Sequence, residues 1–165
     1  MHDIDYEEDY YGDVDAFFKA IHRNDFDTAD TIVMEGIPLD TEQVYSNLSL
    51  GDKGINELKY IWSKYDFENH INDLDGSRSA LEIAVDNDNP AVVEFLYERG
   101  ARITTGAYLL AISQRNFEMV DLLLSLNKRT FNSDDFYIQS LWNDLDDHNK
   151  DELSMILADH GIVSL

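Results

Sequence analysis

Residues 79–103 read SALEIAVDNDNPAVVEFLYERGARI, and their punctuation decides the fold. Ser79 followed three residues on by Glu82 is a capping box, in which hydroxyl and carboxylate satisfy orphan amides at a helix start. Asp88, Asn89 and Pro90 end that helix and open another, because proline suits a first helical turn and asparagine tolerates left-handed backbone. Val92, Val93, Phe95 and Leu96 then form one apolar stripe at helical spacing. Gly100 suits a left-handed C-terminal cap. Ala84 is small where a neighbouring helix must approach closely. The segment reads as two short helices joined by a tight turn.

The same grammar recurs along the chain. In DAFFKAIHRNDFDTADTIVMEGI, Asp15, Phe17, Ala20, Ile32 and Gly36 take the places of Ser79, Leu81, Ala84, Leu96 and Gly100. In GAYLLAISQRNFEMVDLLLSLN, Tyr108, Ala111, Val120 and Leu123 match, and Arg115-Asn116-Phe117 echoes Asn24-Asp25-Phe26. In SLWNDLDDHNKDELSMILADHGI the matching residues are Trp142, Leu145, Leu153, Leu157 and Gly161. A weaker copy aligns Ser49 with Ala84, Leu58 with Val93 and Ile61 with Leu96. The small-residue markers at 20, 49, 84, 111 and 145 are spaced by 29, 35, 27 and 34 residues, by subtraction.

This pattern resembles the ankyrin repeat, which is about 33 residues long and carries a T-P-L-H-x-A helix start, a tight turn, a second helix and then Gly-Ala. The resemblance implies an all-α, ankyrin-like helical repeat solenoid, with repeats near 15–40, 41–72, 73–103, 104–133 and 134–165 behind an acidic N-terminal segment, 1–14. The β-hairpin fingers of the family are degenerate or missing here. Only Asp73-Leu74-Asp75-Gly76 keeps an acidic-glycine finger, and the chain from Gly100 to Gly106 is too short for one. A helical-hairpin array without ankyrin fingers remains the structural alternative. Either form stacks a continuous core and offers a long face for binding.

Composition narrows the function. The chain has 165 residues, 44% of them apolar, enough for one domain with a proper core. Thirty-four acidic residues against twelve basic ones give a net charge of -22, while aromatic content stays at 12%, well above that of disordered acidic segments. Such a field repels nucleic acid and anionic membranes and draws in basic proteins. Without cysteine there is no disulfide, thiolate nucleophile or Cys-based zinc site. Asp3, Asp5, Glu7 and Glu8 are incompatible with a signal-peptide n-region, and no apolar run nears the roughly 20 residues that cross a bilayer. A soluble, cytoplasmic protein, monomeric when free, is expected.

Chemistry is hard to find. In DLDGSRSALE, Asp73, Asp75 and Glu82 fit calcium-loop positions, but Ile71 occupies the position that must supply the first ligand. Histidines 2, 22, 70, 148 and 160 include no metal-binding pair at helical spacing, although His160 before Gly161 suits a helix C-terminus. No phosphate loop, nucleophile elbow or catalytic triad is apparent. No enzyme, metal or cofactor is expected.

Partner binding is expected instead. In ankyrin arrays partners meet the fingers and the exposed ends of the first helices. Two and three residues past each marker lie His22 and Arg23, Gly51 and Asp52, Asp86 and Asn87, Ser113 and Gln114, and Asp147 and His148. Acidity gathers at both ends. Residues 2–15, HDIDYEEDYYGDVD, hold seven carboxylates and no Lys or Arg. Residues 134–152 hold Asp134, Asp135, Asp144, Asp146, Asp147, Asp151 and Glu152 against a single Lys150. A charge run is usually a solvated face. Asp5, Tyr6, Glu7, Glu8, Asp9, Tyr10 and Tyr11 combine charge with amphipathic anchors typical of interface cores, or else the tyrosines cap the first repeat. The composition fits an inhibitor that covers the cationic site of a nucleic-acid enzyme, such as an immunity protein against a nuclease toxin. A viral DNA mimic aimed at a DNA-binding defence protein, and a plain interaction adaptor, are the alternatives.

Overall fold

A computed structural model describes residues 6–37, 39, 44, 54–65, 70–72, 74, 75 and 77–163, with side chains omitted at 6–13, 54, 74 and 75. The chain is mostly helical. It divides into two compact units, Met1–Phe67 and Glu68–Leu165.

In the first unit α1 spans Tyr6–His22, α2 Phe26–Met34 and α3 Gly54–Lys64. Val14, Phe17, Phe18 and Ile21 recur at three- and four-residue steps, so one face of α1 is buried, and α2 packs on that helix. Leu58 and Ile61 of α3 are buried as well. The expected helix start at Asp15 is displaced: α1 begins at Tyr6, and Asp15 sits inside it, paired with Lys19 one turn on at 2.5 Å. Carboxylates early in a helix complement the positive end of its dipole, so the acidic sequence from Glu7 to Asp9 does not oppose helix formation.

In the second unit a hairpin pairs β1, Leu74–Asp75, with β2, Arg78–Ser79, in antiparallel register Leu74 to Ser79 and Asp75 to Arg78. This is where the sequence retains its acidic-glycine finger, and it is the one sheet among the described residues. Three pairs of helices follow: α4 Ala80–Asp86 with α5 Pro90–Glu98, α6 Thr105–Ser113 with α7 Phe117–Asn127, and α8 Phe136–Asp144 with α9 Asp147–Asp159. The first helices form one layer, with α6 touching both α4 and α8, and the second helices another, with α7 touching both α5 and α9. Leu81, Val93, Leu96, Ala111, Val120, Leu123, Ile138 and Leu153 are almost wholly buried between the layers.

The turns repeat in atomic detail. After α1, α4 and α6 a residue takes left-handed backbone, Asn24 at φ 56°, Asp88 at 51° and Arg115 at 56°. The next amide then donates to the carbonyl of the small-residue marker: Asp25 to Ala20, Asn89 to Ala84 and Asn116 to Ala111, at 2.9, 3.0 and 2.9 Å. Those three residues are also the N-caps of the second helices. Gly36, Gly100 and Gly161 end second helices with φ of 91°, 96° and 76°, a backbone that a Cβ disfavours.

The last pair departs from the expected alignment. Asp135 caps α8 by accepting from the amides of Tyr137 and Ile138, so Ile138 fills the core where Trp142 was expected, and Trp142 is only half-buried. Leu145 is the extended C-cap of α8 and Asp146 at once caps α9, leaving no left-handed residue between them. In the α6–α7 pair, where no glycine ends the second helix, the chain tightens into a 3-10 turn over Lys128–Thr130. The buried Tyr108 hydroxyl lies 3.2 Å from the carbonyl of Leu123 and 3.0 Å from that of Asn127, within hydrogen-bonding reach of either. Among the described residues no helix is long and apolar enough to cross a membrane.

Candidate functional site

The exposed ends of the first helices are drawn together by the turns that follow them. Asp86, the last residue of α4, accepts from Arg78 Nη1 at 2.5 Å and from Gln114 Nε2 at 2.8 Å. Gln114 Nε2 also lies 3.2 Å from the Asp86 carbonyl, and Asn116 donates to Asp88 Oδ1 at 2.7 Å. These bonds tie two consecutive turns edge to edge. Asn87 turns back on its own helix, donating to the Ile83 carbonyl at 3.0 Å, and Ser113 does the same to Leu110 at 2.8 Å.

The row continues onto the last pair. The Asn149 backbone N–H holds the Asp146 carboxyl below the ordinary carboxylate value, and the Asn149 side chain, Arg115 and His148 add to the effect. Asp146 is thereby committed to capping α9, with its Oδ1 2.9 Å from the Asn149 amide. Asp144, Asp147, Asp151 and Glu152 are exposed around it. Of the expected partner-binding residues, the second unit thus brings Asp86, Asn87, Asp144, Asp146 and Asp147 onto one run of turns and helix ends, and only Asp86, Asn87 and Asp146 have their side chains engaged in the bonds described above.

The acidic opening is only partly in view. Asp5 and Asp52 lie outside the described residues, as do Gly51 and the marker Ser49. Tyr6, Glu7, Glu8, Asp9, Tyr10 and Tyr11 belong to the backbone of α1, and their side chains lie outside the description. His22 of the expected row stays exposed but meets a buried group. Its Nδ1 lies 3.2 Å from Glu57 Oε2, and the Glu57 side chain is only 3% exposed.

A cluster of aromatic and acidic groups escaped the repeat alignment. Phe136 and Tyr137, at the start of α8, are 77% and 66% exposed, with their rings edge to face at 5.5 Å. They follow Asp134 and Asp135 directly. The signal is legible in the sequence as two acids followed by two aromatics, the composition that makes Asp9-Tyr10-Tyr11 noticeable at the other end. The pattern matched the last repeat from Trp142 onward, and so passed over the two aromatics at its start.

Among the described residues no group of three His, Asp or Glu side chains is placed to hold a metal ion. In the calcium-loop candidate, Ile71 is buried and Glu82 is spent on the Ser79 cap, its Oε2 accepting from the Ser79 amide at 2.8 Å. No protein-family model, curated protein or solved structure matches the chain.

Proposed function

We propose that this chain is a non-enzymatic, ankyrin-like repeat protein that binds a basic protein and blocks it, as an immunity or antitoxin protein blocks an enzyme acting on nucleic acid. The repeated turn at Ala20, Ala84 and Ala111 supports a stacked-repeat origin for the fold. The observation that carries the binding reading is the exposed Phe136–Tyr137 pair, which follows Asp134 and Asp135 at the start of α8, in a last helix pair that also exposes Asp144, Asp147, Asp151 and Glu152. Large exposed aromatic rings cost solvation unless a partner covers them, and a net charge of -22 selects a cationic partner and speeds its arrival. An enzyme that grips phosphate backbones presents such a cationic surface. Covering that surface inhibits the enzyme without any chemistry in the inhibitor.

The test is capture on the immobilised full chain from its native cell, washed in high salt, followed by assay of the captured protein on nucleic acid. The expected result is one basic protein, retained at high salt, whose cleavage of nucleic acid stops at equimolar chain. Recovery only of neutral or acidic proteins overturns the charge argument. Several DNA-binding proteins released steeply by salt would favour mimicry of nucleic acid instead.

A further inference from the structure

The first helices of the second unit leave a groove of about 460 Å³ along α4, α6 and α8. Its floor is apolar, made by the half-buried Leu109, Leu110 and Leu141, and Tyr137 forms one wall. Gly106 and Ser140 keep it open because neither projects a large side chain into it. An apolar trough walled by a tyrosine that is 66% exposed is a seat for one bulky side chain.

The charges around the trough say what should carry that side chain. Within it, Glu82 is occupied by the Ser79 amide and the Thr104 hydroxyl, and Arg78 is paired with Asp86. Asp144 follows Leu141 by three residues and Ser140 by four, so it continues the same face of α8 past the end of the groove. Asp86 closes α4 at the corresponding end, where Arg78 reaches along the helix to pair with it at 2.5 Å and Gln114 takes its other oxygen. The apolar seat is therefore bounded at the C-terminal ends of its helices by the Arg78–Asp86 pair and by the exposed Asp144, which is the carboxylate left open to a cation.

We propose that this groove docks a basic polypeptide segment, with one large aliphatic or aromatic side chain on Leu109, Leu110 and Leu141 and a flanking Lys or Arg side chain against Asp144. The inference rests on the basic-protein reading above and gives it an address. The anchor supplies affinity, while the flanking cation and the net charge of -22 supply selectivity.

The experiment uses the full chain and three short labelled peptides, read by fluorescence anisotropy at physiological salt. One carries a central Trp among lysines, one has lysines only, and one keeps the Trp but has Gln for every Lys. The Trp-lysine peptide should bind about tenfold tighter than either control. Ser140→Trp fills the groove from an exposed position and should reduce that peptide to the level of lysines alone. Tyr137→Ala, a truncation at an exposed site, should weaken it in the same direction, and circular dichroism confirms that both variants fold. Asp144→Asn should weaken it by about two- to fivefold. Equal binding of the two lysine peptides, or indifference to Ser140→Trp, overturns the groove while leaving a basic partner in place. Equal binding of the Gln peptide overturns the requirement for a basic segment, and failure of all three to bind overturns the groove as a docking site.

Discussion

The Glu82 carboxylate accepts a hydrogen bond from the Thr104 hydroxyl at 2.5 Å while its other oxygen closes the capping box on Ser79, so one side chain fastens the starts of two successive first helices. Gly106 makes room for it, since a Cβ there would collide with Glu82 Oε1.

Removing that bridge should cost more than a surface substitution. Glu82→Ala loses the capping box and the Thr104 bond, and should lower stability by about 1–2 kcal/mol. Gly106→Ala displaces Glu82 Oε1 and loosens its bond to Thr104, a loss that offsets the roughly 1 kcal/mol alanine gains over glycine in a helix. In the double variant the collision is gone. Gly106→Ala should then be more favourable than it is alone, a coupling that urea unfolding of the four proteins measures directly. Strict additivity would mean that Glu82 and Gly106 act independently.

Tyr108 should behave as a core residue with a polar task. Its ring is wholly buried edge to face with Phe131, and its hydroxyl serves the carbonyls of Leu123 and Asn127 where the helix lacks a glycine cap. Burial pushes the phenol above its ordinary value, so it stays protonated and able to donate. Tyr108→Phe should cost about 1 kcal/mol through the lost bond, and Tyr108→Ala about 3–5 kcal/mol through the cavity. Faster amide exchange near Lys128–Thr130 in Tyr108→Phe would locate the loss, and unchanged exchange there would refute the capping role.

What the sequence exposed and what it hid divides along local and non-local roles. Ser79, Ala84, Asn89 and Gly100 act within a few residues of themselves, as does Glu82 in its capping box, and each stands where the pattern puts it; the bond from Thr104 to Glu82, 22 residues apart, has no local signature. The left-handed residue is Asp88 rather than Asn89, a shift of one within the same turn. The last pair misled because Asp135 and Ser140 are both plausible helix starts. Only packing of Ile138 against neighbouring helices selects the earlier one, and that is information a local pattern lacks. The site was legible in part for a related reason. Carboxylates can be counted in sequence, but the exposure of Phe136 and Tyr137, and the Leu109–Leu141 trough beside them, come from helices about 30 residues apart, roughly one repeat length.

The His22–Glu57 contact should matter to the first unit because one partner is almost wholly buried. His22→Ala leaves the Glu57 carboxylate without the ring nitrogen and should cost about 1–3 kcal/mol. Glu57→Gln keeps the volume and can still bond the ring, and should cost less. If Glu57→Gln proves the more damaging of the two, the ionic character of the contact matters more than the hydrogen bond. Tyr60, stacked on Phe26 with ring centroids 4.6 Å apart and bonded to Asp30, holds the same helix about one turn further on. Loss of His22 alone is therefore expected to loosen α3 rather than release it.

The N-cap carboxylates set the acid limb of stability. Asp25 is held below its ordinary value of 3.8 by Thr28, through side chain and backbone, and Asp146 by Asn149. Asp30 is likewise held down by Lys64 and then Tyr60. A carboxyl that is more acidic folded than unfolded stabilises the fold while it is ionised, above the unfolded value, and that contribution disappears as pH falls through the folded value. Opposing it, protonating other carboxylates relieves the self-repulsion of a chain with net charge -22, which favours the compact state. Stability should therefore rise on acidification from neutral pH and then fall below about pH 4, as the capping groups lose their charge. Asparagine caps a helix about as well as aspartate without titrating. Asp25→Asn with Asp146→Asn should accordingly leave neutral-pH stability nearly unchanged and flatten the fall between about pH 4 and pH 2. Thermal melts across that range test it, and an unflattened acid limb in the double variant would assign the loss to carboxylates other than the caps.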